Sequence, residues 1–479
     1  MKLRFAIRLA AAACCLVTLH VRSRAEEPAS PRATRVVEII RRIEGGVVAV
    51  FSQGAEGVLH SGSGSVIHPA GFILTNDHVV QDRPGVVLIQ NRDPVRYRVV
   101  GRLPEKDLAV IRVSLPDPLT AIPLGRCDDL RTGEPCLCGG NPGGRGIVFT
   151  SGIISSPAIM RDAPSALAMA YFRNDARDRF IQFDAASNPG SSGGPLINAE
   201  GFQIGIVCAR QLNEESISYA IPVDRLRRYA DELIAPEIAG DLFAGIAVDP
   251  LAPEAMVSNV ASGSPAALAG IRAGDVLVSA DGAALKDGLD WLLKLAMQSA
   301  GDEIALAYRR AAEVKSASVK LARCPVQQAV AVDDARPGLV WKLYADGKLA
   351  SFPDFDRLQP AAEGVTLELK TRELTGERKE HFALRFEGFV KIEADGRHRL
   401  TLASDDGSRL FLHGELLIDN GGPHPRQELG RKVRLAKGFH PIRIDYFEVT
   451  GESTLELFLA SGSGPRTPVR GESLFHRAE

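Results

Sequence analysis

A mainly β protein of three folded units is what this 479-residue chain predicts, and three observations carry that expectation. Residues 34–235 are a run of short Val- and Ile-rich segments: Gly46–Ser52, Gly62–His68, Phe72–Thr75, Val86–Gln90, Leu108–Val113 and Gly201–Ala209. Gly, Pro, Asn or Asp breaks them, as in an antiparallel barrel or sandwich with tight turns. Residues 241–323 mix strands with one amphipathic helix, about Asp287–Gln298, where Leu289, Leu292, Leu293 and Ala296 fall at helical spacing. Residues 338–463 alternate polar and apolar side chains in Arg399–Ala403 and His440–Tyr446, the period of half-buried strands.

Ahead of the first unit stands a three-part leader. Lys2, Arg4 and Arg8 make a basic start, Leu9–Leu19 is an apolar run, and Ser23-Arg24-Ala25 offers small residues for cleavage. This is the layout of a secretory signal peptide spanning residues 1–25. The apolar run is short for a bilayer and is closed by Arg22 and Arg24. An exported protein, periplasmic or extracellular, is expected. Losing the leader shifts the net charge from −2 to about −7. An acidic chain without a basic patch does not suit nucleic acid.

Cys14 and Cys15 leave with the leader, and Cys127, Cys136, Cys138, Cys208 and Cys324 remain. Cys136 and Cys138 alternate with Leu137 and point to one face of a strand. Buried thiols or a pair within the first domain both suit this arrangement. No cysteine or histidine spacing matches a metal site, so no cofactor is expected. A helix at Val223–Leu233, with Pro236 just beyond, should close the first unit. Residues 324–337 read as a linker.

Three segments of the first unit carry candidate chemistry. Thr75-Asn76-Asp77-His78 sets a histidine after an apolar strand, Lys106-Asp107-Leu108 an aspartate before a buried one, and Asn188–Leu196 a serine, Ser192, among glycines. A serine hydroxyl needs a base within hydrogen-bond reach, and a near-neutral histidine supplies it. The histidine in turn needs a carboxylate to fix its tautomer. The glycines aim backbone amides inward, which assigns an oxyanion hole to Gly190 and Ser192, with Ser191 assisting. Ser187 and Asp77 read as structural, Asp77 as a surface or turn residue.

The order His78, Asp107, Ser192 resembles the HtrA/Deg family of trypsin-like proteases. So do Gly62–Ile67, Thr150-Ser151-Gly152-Ile153-Ile154, Phe183-Asp184-Ala185-Ala186 and Tyr219-Ala220-Ile221-Pro222. The resemblance implies a two-barrel trypsin-like domain and a serine endopeptidase acting on protein or peptide substrates. Ala185, Ala186 and Gln211–Ser218 would border a primary pocket without a carboxylate floor, favouring a small or medium apolar residue before the cut. Ser191 replaces the aspartate that digestive relatives use to capture a freed N-terminus. Pro157–Arg179 is longer than the corresponding family loop. The family also implies a homo-trimer, though the segment before Gly45 has no aromatic residue to pack such a contact.

Leu242–Ala322 resembles a PDZ domain, through Gly263–Ile271 and Ala273–Leu277. Phe243, Ala244, Gly245 and Ile246 stand where its carboxylate-binding loop belongs, implying capture of C-terminal peptides. The last unit resembles the protective-antigen β-sandwich through Phe386–Phe389, Ser404–Leu410, Leu417–Asn420, Lys437–His440 and Ile444–Phe447. Some members bind glycans through calcium, which would fall to Asp405 and Asp406. An ordinary Asp-Asp-Gly turn explains the same residues and is preferred. The alternatives to an enzyme are a catalytically silent binding scaffold or a carbohydrate-binding adhesin.

Overall fold

The computed structural model describes residues 32–478, apart from 54–58, 82–83, 160–178, 211–216, 346–348, 350, 425, 452 and 463. Residues 1–25, expected to be a signal peptide, nearly all of Pro157–Arg179 and most of Gln211–Ser218 therefore lie outside the described residues. Among those described, no helix is long and apolar enough to cross a membrane.

Helix Arg35–Ile43 opens the first unit, with the Thr34 hydroxyl accepting the Val37 amide at its start. Its Ile39 and Ile43 are buried against Ile122, Leu137 and Ile197, so the segment folds back on its own protein. Seven strands then form one antiparallel sheet. Their order is Val95–Arg96, Gly85–Leu88, Val47–Gln53, Leu59–His68, Phe72–Thr75, Leu108–Arg112 and Arg98–Leu103. Val48, Val50, Val66, Ile73, Ala109 and Ile111 fill its inner side. A second set closes into a barrel of Phe180–Phe183, Ser218–Pro222, Gln203–Arg210, Pro195–Asn198, Pro135–Gly140 and Val148–Ile159. The described cysteines are free thiols, and burial pushes those of Cys136 and Cys138 up to about 12.

Helix Val223–Ile234, one residue longer than expected, closes this unit and belongs to three layers at once. Its Leu226, Tyr229 and Leu233 share one apolar cluster with Leu103 and Leu108 of the sheet, Ile206 and Ile221 of the barrel, and Leu242 and Trp291 beyond. Burying each such side chain contributes about 1.5–3 kcal/mol. The second unit is a sheet ordered Ile246–Val248, Ala255–Val260, Val276–Ala280, Glu303–Arg310 and Glu313–Lys320. Its helix runs Gly288–Leu295, and Asp287 caps the start by accepting the Leu289 and Asp290 amides. Past Leu295 the Met297 and Gln298 amides donate to the Lys294 and Leu295 carbonyls in three-residue turns that end it early.

The third unit stacks two sheets. One contains Phe382–Ile392, Gly438–Glu448 and Ser408–Leu412; the other centres on Gly396–Asp405 between Gln427–Leu435 and Thr454–Ser461. Leu384, Phe386, Leu400, Leu402, Ile444 and Leu457 meet between them. Residues 324–337 are not a free linker. The Gln327 amide donates to the Arg434 carbonyl and that of Val330 to Phe439, both at 2.9 Å, and Ala335–Pro337 pairs with Leu474–Arg477. These contacts are too short and isolated to leave an alternating pattern in the sequence, and they carry the sandwich past residue 463.

The third unit docks on the first through buried charge. The Arg399 guanidinium donates to Glu232, at the end of the three-layer helix, and to Glu105, two residues before Asp107. Arg431 adds a 3.5 Å contact to Glu232, which is 2% exposed. A carboxylate buried this far depends on its partners. Arg399→Met should therefore destabilise the full chain by about 3 kcal/mol, read as a lower urea midpoint. Adding Glu232→Gln should recover part of that loss.

Candidate active site

His78 lies on a single helical turn, Asp77–Val80, directly after strand Phe72–Thr75. Asn76 precedes that turn without capping it, and its side-chain amide donates to the Asp107 carbonyl at 3.0 Å. Asp107 is held with φ +51, in the left-handed region that a non-glycine residue adopts only under constraint. Three bonds supply the constraint. Besides the Asn76 contact, Asp107 Oδ1 accepts the His78 backbone amide at 3.1 Å, and the carboxylate meets His78 Nδ1 at 2.9 Å. The imidazole is thereby oriented with Nδ1 committed to the carboxylate, which leaves Nε2 as the nitrogen that can take up a proton.

Burial alone would lower the His78 pKa, but the hydrogen bond and charge of Asp107, with Asp77 adding, raise it above its ordinary value. Asp77 is not the surface residue that the sequence suggested. It is 7% exposed and gripped by Arg102, with Nε at 2.6 Å and a second nitrogen at 3.0 Å. The partner stands twenty-five positions along the chain, on strand Arg98–Leu103, which no local pattern reveals.

The serine comes from the turn between Phe180–Phe183 and Pro195–Asn198. Strand Leu59–His68 holds this turn from the other half of the domain. The Ser63 amide donates to the Ser192 carbonyl at 2.7 Å. The Ser63 hydroxyl donates to the Gly190 carbonyl at 2.6 Å and accepts the Asn141 amide at 2.8 Å. The Ser63 carbonyl in turn accepts the Thr75 hydroxyl at 2.7 Å. Gly193, at φ +87, is pressed so close that an added Cβ would lie 2.1 Å from the Ser63 carbonyl oxygen. A Cβ on Gly62 would likewise meet Val79, beside His78, and the Ser192 carbonyl. Ser192 is thus packed at the foot of the histidine turn, half-buried. Ser63 and Thr75 are the supports that sequence reasoning missed; the Gly62–Ile67 motif was the available signal.

The amides around Ser192 divide into two groups. Those of Ser191, Gly193 and Gly194 donate to the carbonyls of Asn188, Val207 and Ser191. Among the described residues, the amides of Gly190 and Ser192 donate to no protein acceptor. Ser191 is therefore unavailable as the extra oxyanion donor suggested from sequence, while Gly190 and Ser192 remain open. Ser187 bonds the Ser218 hydroxyl at 2.8 Å, inside the barrel.

Phe243, Ala244, Gly245 and Ile246 form the entrance to the second unit. Phe243 exchanges backbone bonds of 2.9 and 3.0 Å with Ala322, Ala244 is buried, and Gly245 turns at φ +77. Ile246 starts strand Ile246–Val248, which pairs on one side only among the described residues, leaving an edge open.

In the third unit, Asp405 and Asp406 fasten loops. Asp405 accepts the Arg426 amide at 3.1 Å, and Asp406 accepts those of His424 and Val449 at 2.8 Å. Glu448 joins them, a residue that the sequence did not single out, with one carboxylate oxygen per residue within 4.8 Å. Burial, with the charges of Asp406 and Asp405 adding, pushes Glu448 up to about 7, and its Oε1 is buried without a hydrogen bond. The three carboxylates offer oxygen donors of the kind calcium takes.

Family models match the chain in three places: a trypsin-like peptidase domain at residues 62–206, a PDZ domain at 243–321 and a PA14 domain at 336–466. The periplasmic serine endoprotease DegP of Salmonella typhimurium is 34% identical over 54% of this chain and 56% of its own length. The Synechocystis chain HhoB, by its name a serine protease, is 31% identical over 54% of this chain and 66% of its own. The chain thus spans between about half and two thirds of these relatives. A solved serine endoprotease from Yersinia pestis is 26% identical, covering 63% of this chain and 100% of its own, with a TM-score of 0.36. Trypsin-like peptidase, PDZ and PA14 domains in this order, together with the likeness to DegP and HhoB, support an HtrA-type trypsin-like serine protease extended by a PA14 domain.

Proposed function

We propose that this protein is an exported serine endopeptidase that cuts unfolded or exposed protein segments through an acyl-enzyme. The observation that carries the reading is the His78–Asp107 pair, with the Ser192 carbonyl and Val79 of the histidine turn both packed against Gly62, and with the Gly190 and Ser192 amides uncommitted among the described residues. In this mechanism His78 Nε2 takes the proton from Ser192 Oγ as the oxygen attacks the scissile carbonyl. Asp107 holds the imidazole in the required tautomer and stabilises its cation. The carbonyl oxygen, now anionic, accepts the Gly190 and Ser192 amides. His78 then hands its proton to the departing amine, and a water molecule, deprotonated by His78, releases the acyl group. Ala185 and Ala186 bring no carboxylate to the pocket, which favours a small or medium apolar residue before the cut.

The basic, apolar leader and the periplasmic relative support export. The PDZ domain is assigned the capture of peptide C-termini at residues 243–246, and the PA14 domain the tethering of the enzyme to carbohydrate. Calcium, if bound there, would be held by Asp405, Asp406 and Glu448 and would fix the loops at 424–426 and 449.

Casein digestion tests the reading. The mature chain should produce fragments ending mostly in small apolar residues, and Ser192→Ala at matched concentration should produce none. Equal cleavage by both, or cuts after Lys or Arg, would contradict it. Removing the Ser63 hydroxyl costs two hydrogen bonds of about 1 kcal/mol each. Ser63→Ala should lower kcat by roughly tenfold or more with KM little changed. Because the base must be neutral and Asp107 holds its proton more tightly, kcat/KM should rise through a midpoint above pH 6.5.

A further inference from the structure

The amides that open the PDZ unit are already in use. Both the Ala244 and Gly245 backbone N–H groups donate to one oxygen, Oε1 of Glu237, each at 2.8 Å. Glu237 belongs to the short helix Pro236–Gly240, in the connection between the last protease helix and the PDZ sheet. Its carboxylate is a chemical equivalent of a peptide's terminal carboxylate, and it occupies two converging amides of the kind that capture one. Burial raises the Glu237 pKa, while the Gly245 and Ala244 amides pull it back by favouring the anion. Beside this nest, the edge of Ile246–Val248 is unpaired among the described residues, open for an added strand.

We propose that Glu237 is an internal occupant of the PDZ carboxylate site, which a peptide with a free C-terminus must displace before it binds. The proposal rests on the reading of residues 243–246 as a carboxylate-binding loop. Tethered a few residues away, Glu237 competes as an intramolecular ligand, with an effective concentration on the order of millimolar. The apparent affinity for peptides falls by the fraction of molecules in which the nest is vacated. The site is therefore selective twice over, for a terminal carboxylate and for a peptide whose other contacts outweigh the internal one.

Binding is measured on the full chain carrying Ser192→Ala, so that peptides are not cut. The probes are two pools of decapeptides randomised in the last three positions, one with free C-termini and one amidated. Retained peptides are identified by mass spectrometry, and those retained are titrated by fluorescence anisotropy. The proposal predicts that Glu237→Ala binds free-acid peptides at least tenfold more tightly than the parent, with no gain for amidated ones. A free-acid preference of equal strength in parent and variant would overturn internal competition while leaving the carboxylate loop intact. No preference for free acids in either protein would overturn both. Thermal melts accompany each variant. Should Glu237→Ala unfold, the isosteric Glu237→Gln decides by the same comparison, since a neutral amide oxygen is the weaker acceptor and must also bind free acids more tightly than the parent.

Discussion

Ser63 fastens the turn that carries Ser192 across the boundary between the two halves of the domain, adding to the turn's own Ser191–Asn188 and Gly194–Ser191 bonds. One residue, through its amide and hydroxyl, fixes the carbonyls of Ser192 and Gly190. Those two peptide groups carry the Ser191 and Gly193 amides, which are spent on the Asn188 and Val207 carbonyls. The Gly190 and Ser192 amides belong to the neighbouring peptide groups, whose carbonyls, of Pro189 and Ser191, accept the Gly143 and Gly194 amides. Both N–H groups are without a protein acceptor among the described residues. The histidine side is fixed in the same manner, with Asn76 and the His78 amide both spent on holding Asp107 at a positive φ. The reacting groups are positioned by neighbours whose polar atoms face away from the substrate.

The three units are coupled rather than strung together. Helix Val223–Ile234 shares its apolar cluster with both halves of the protease and with the PDZ sheet. At its far end Glu232 accepts Arg399 from the PA14 sheet, and the same guanidinium reaches Glu105, close to Asp107. Immediately beyond that helix, Glu237 enters the PDZ amides. One stretch of fifteen residues, 223–237, therefore touches every domain, and a change at either recognition module has a short covalent route to the catalytic half.

Much of this was legible in the sequence because the signals were local. Val- and Ile-rich runs with Gly and Asn punctuation gave the strands, and the spacing of His78, Asp107 and Ser192 within recognisable motifs located the candidate site. What escaped depends on partners distant in the chain. Asp77 looked exposed because Arg102 lies on another strand, and Glu448 joined Asp405 and Asp406 only when the strands paired. Residues 324–337 lacked a period because their contacts are isolated bridges. Glu237 stood in a plain charged stretch after a proline, and nothing before the fold formed said which amides it would meet.

The most direct test of the central claim is covalent labelling with a fluorophosphonate, a reagent that reports serine nucleophilicity whatever the natural substrate. Intact-mass and peptide mapping should find a single adduct, on Ser192. Its formation rate should rise as His78 loses its proton and should collapse in His78→Ala. An unlabelled chain, or an adduct at Ser187 or Ser191, would contradict the assignment of the nucleophile and with it the mechanism.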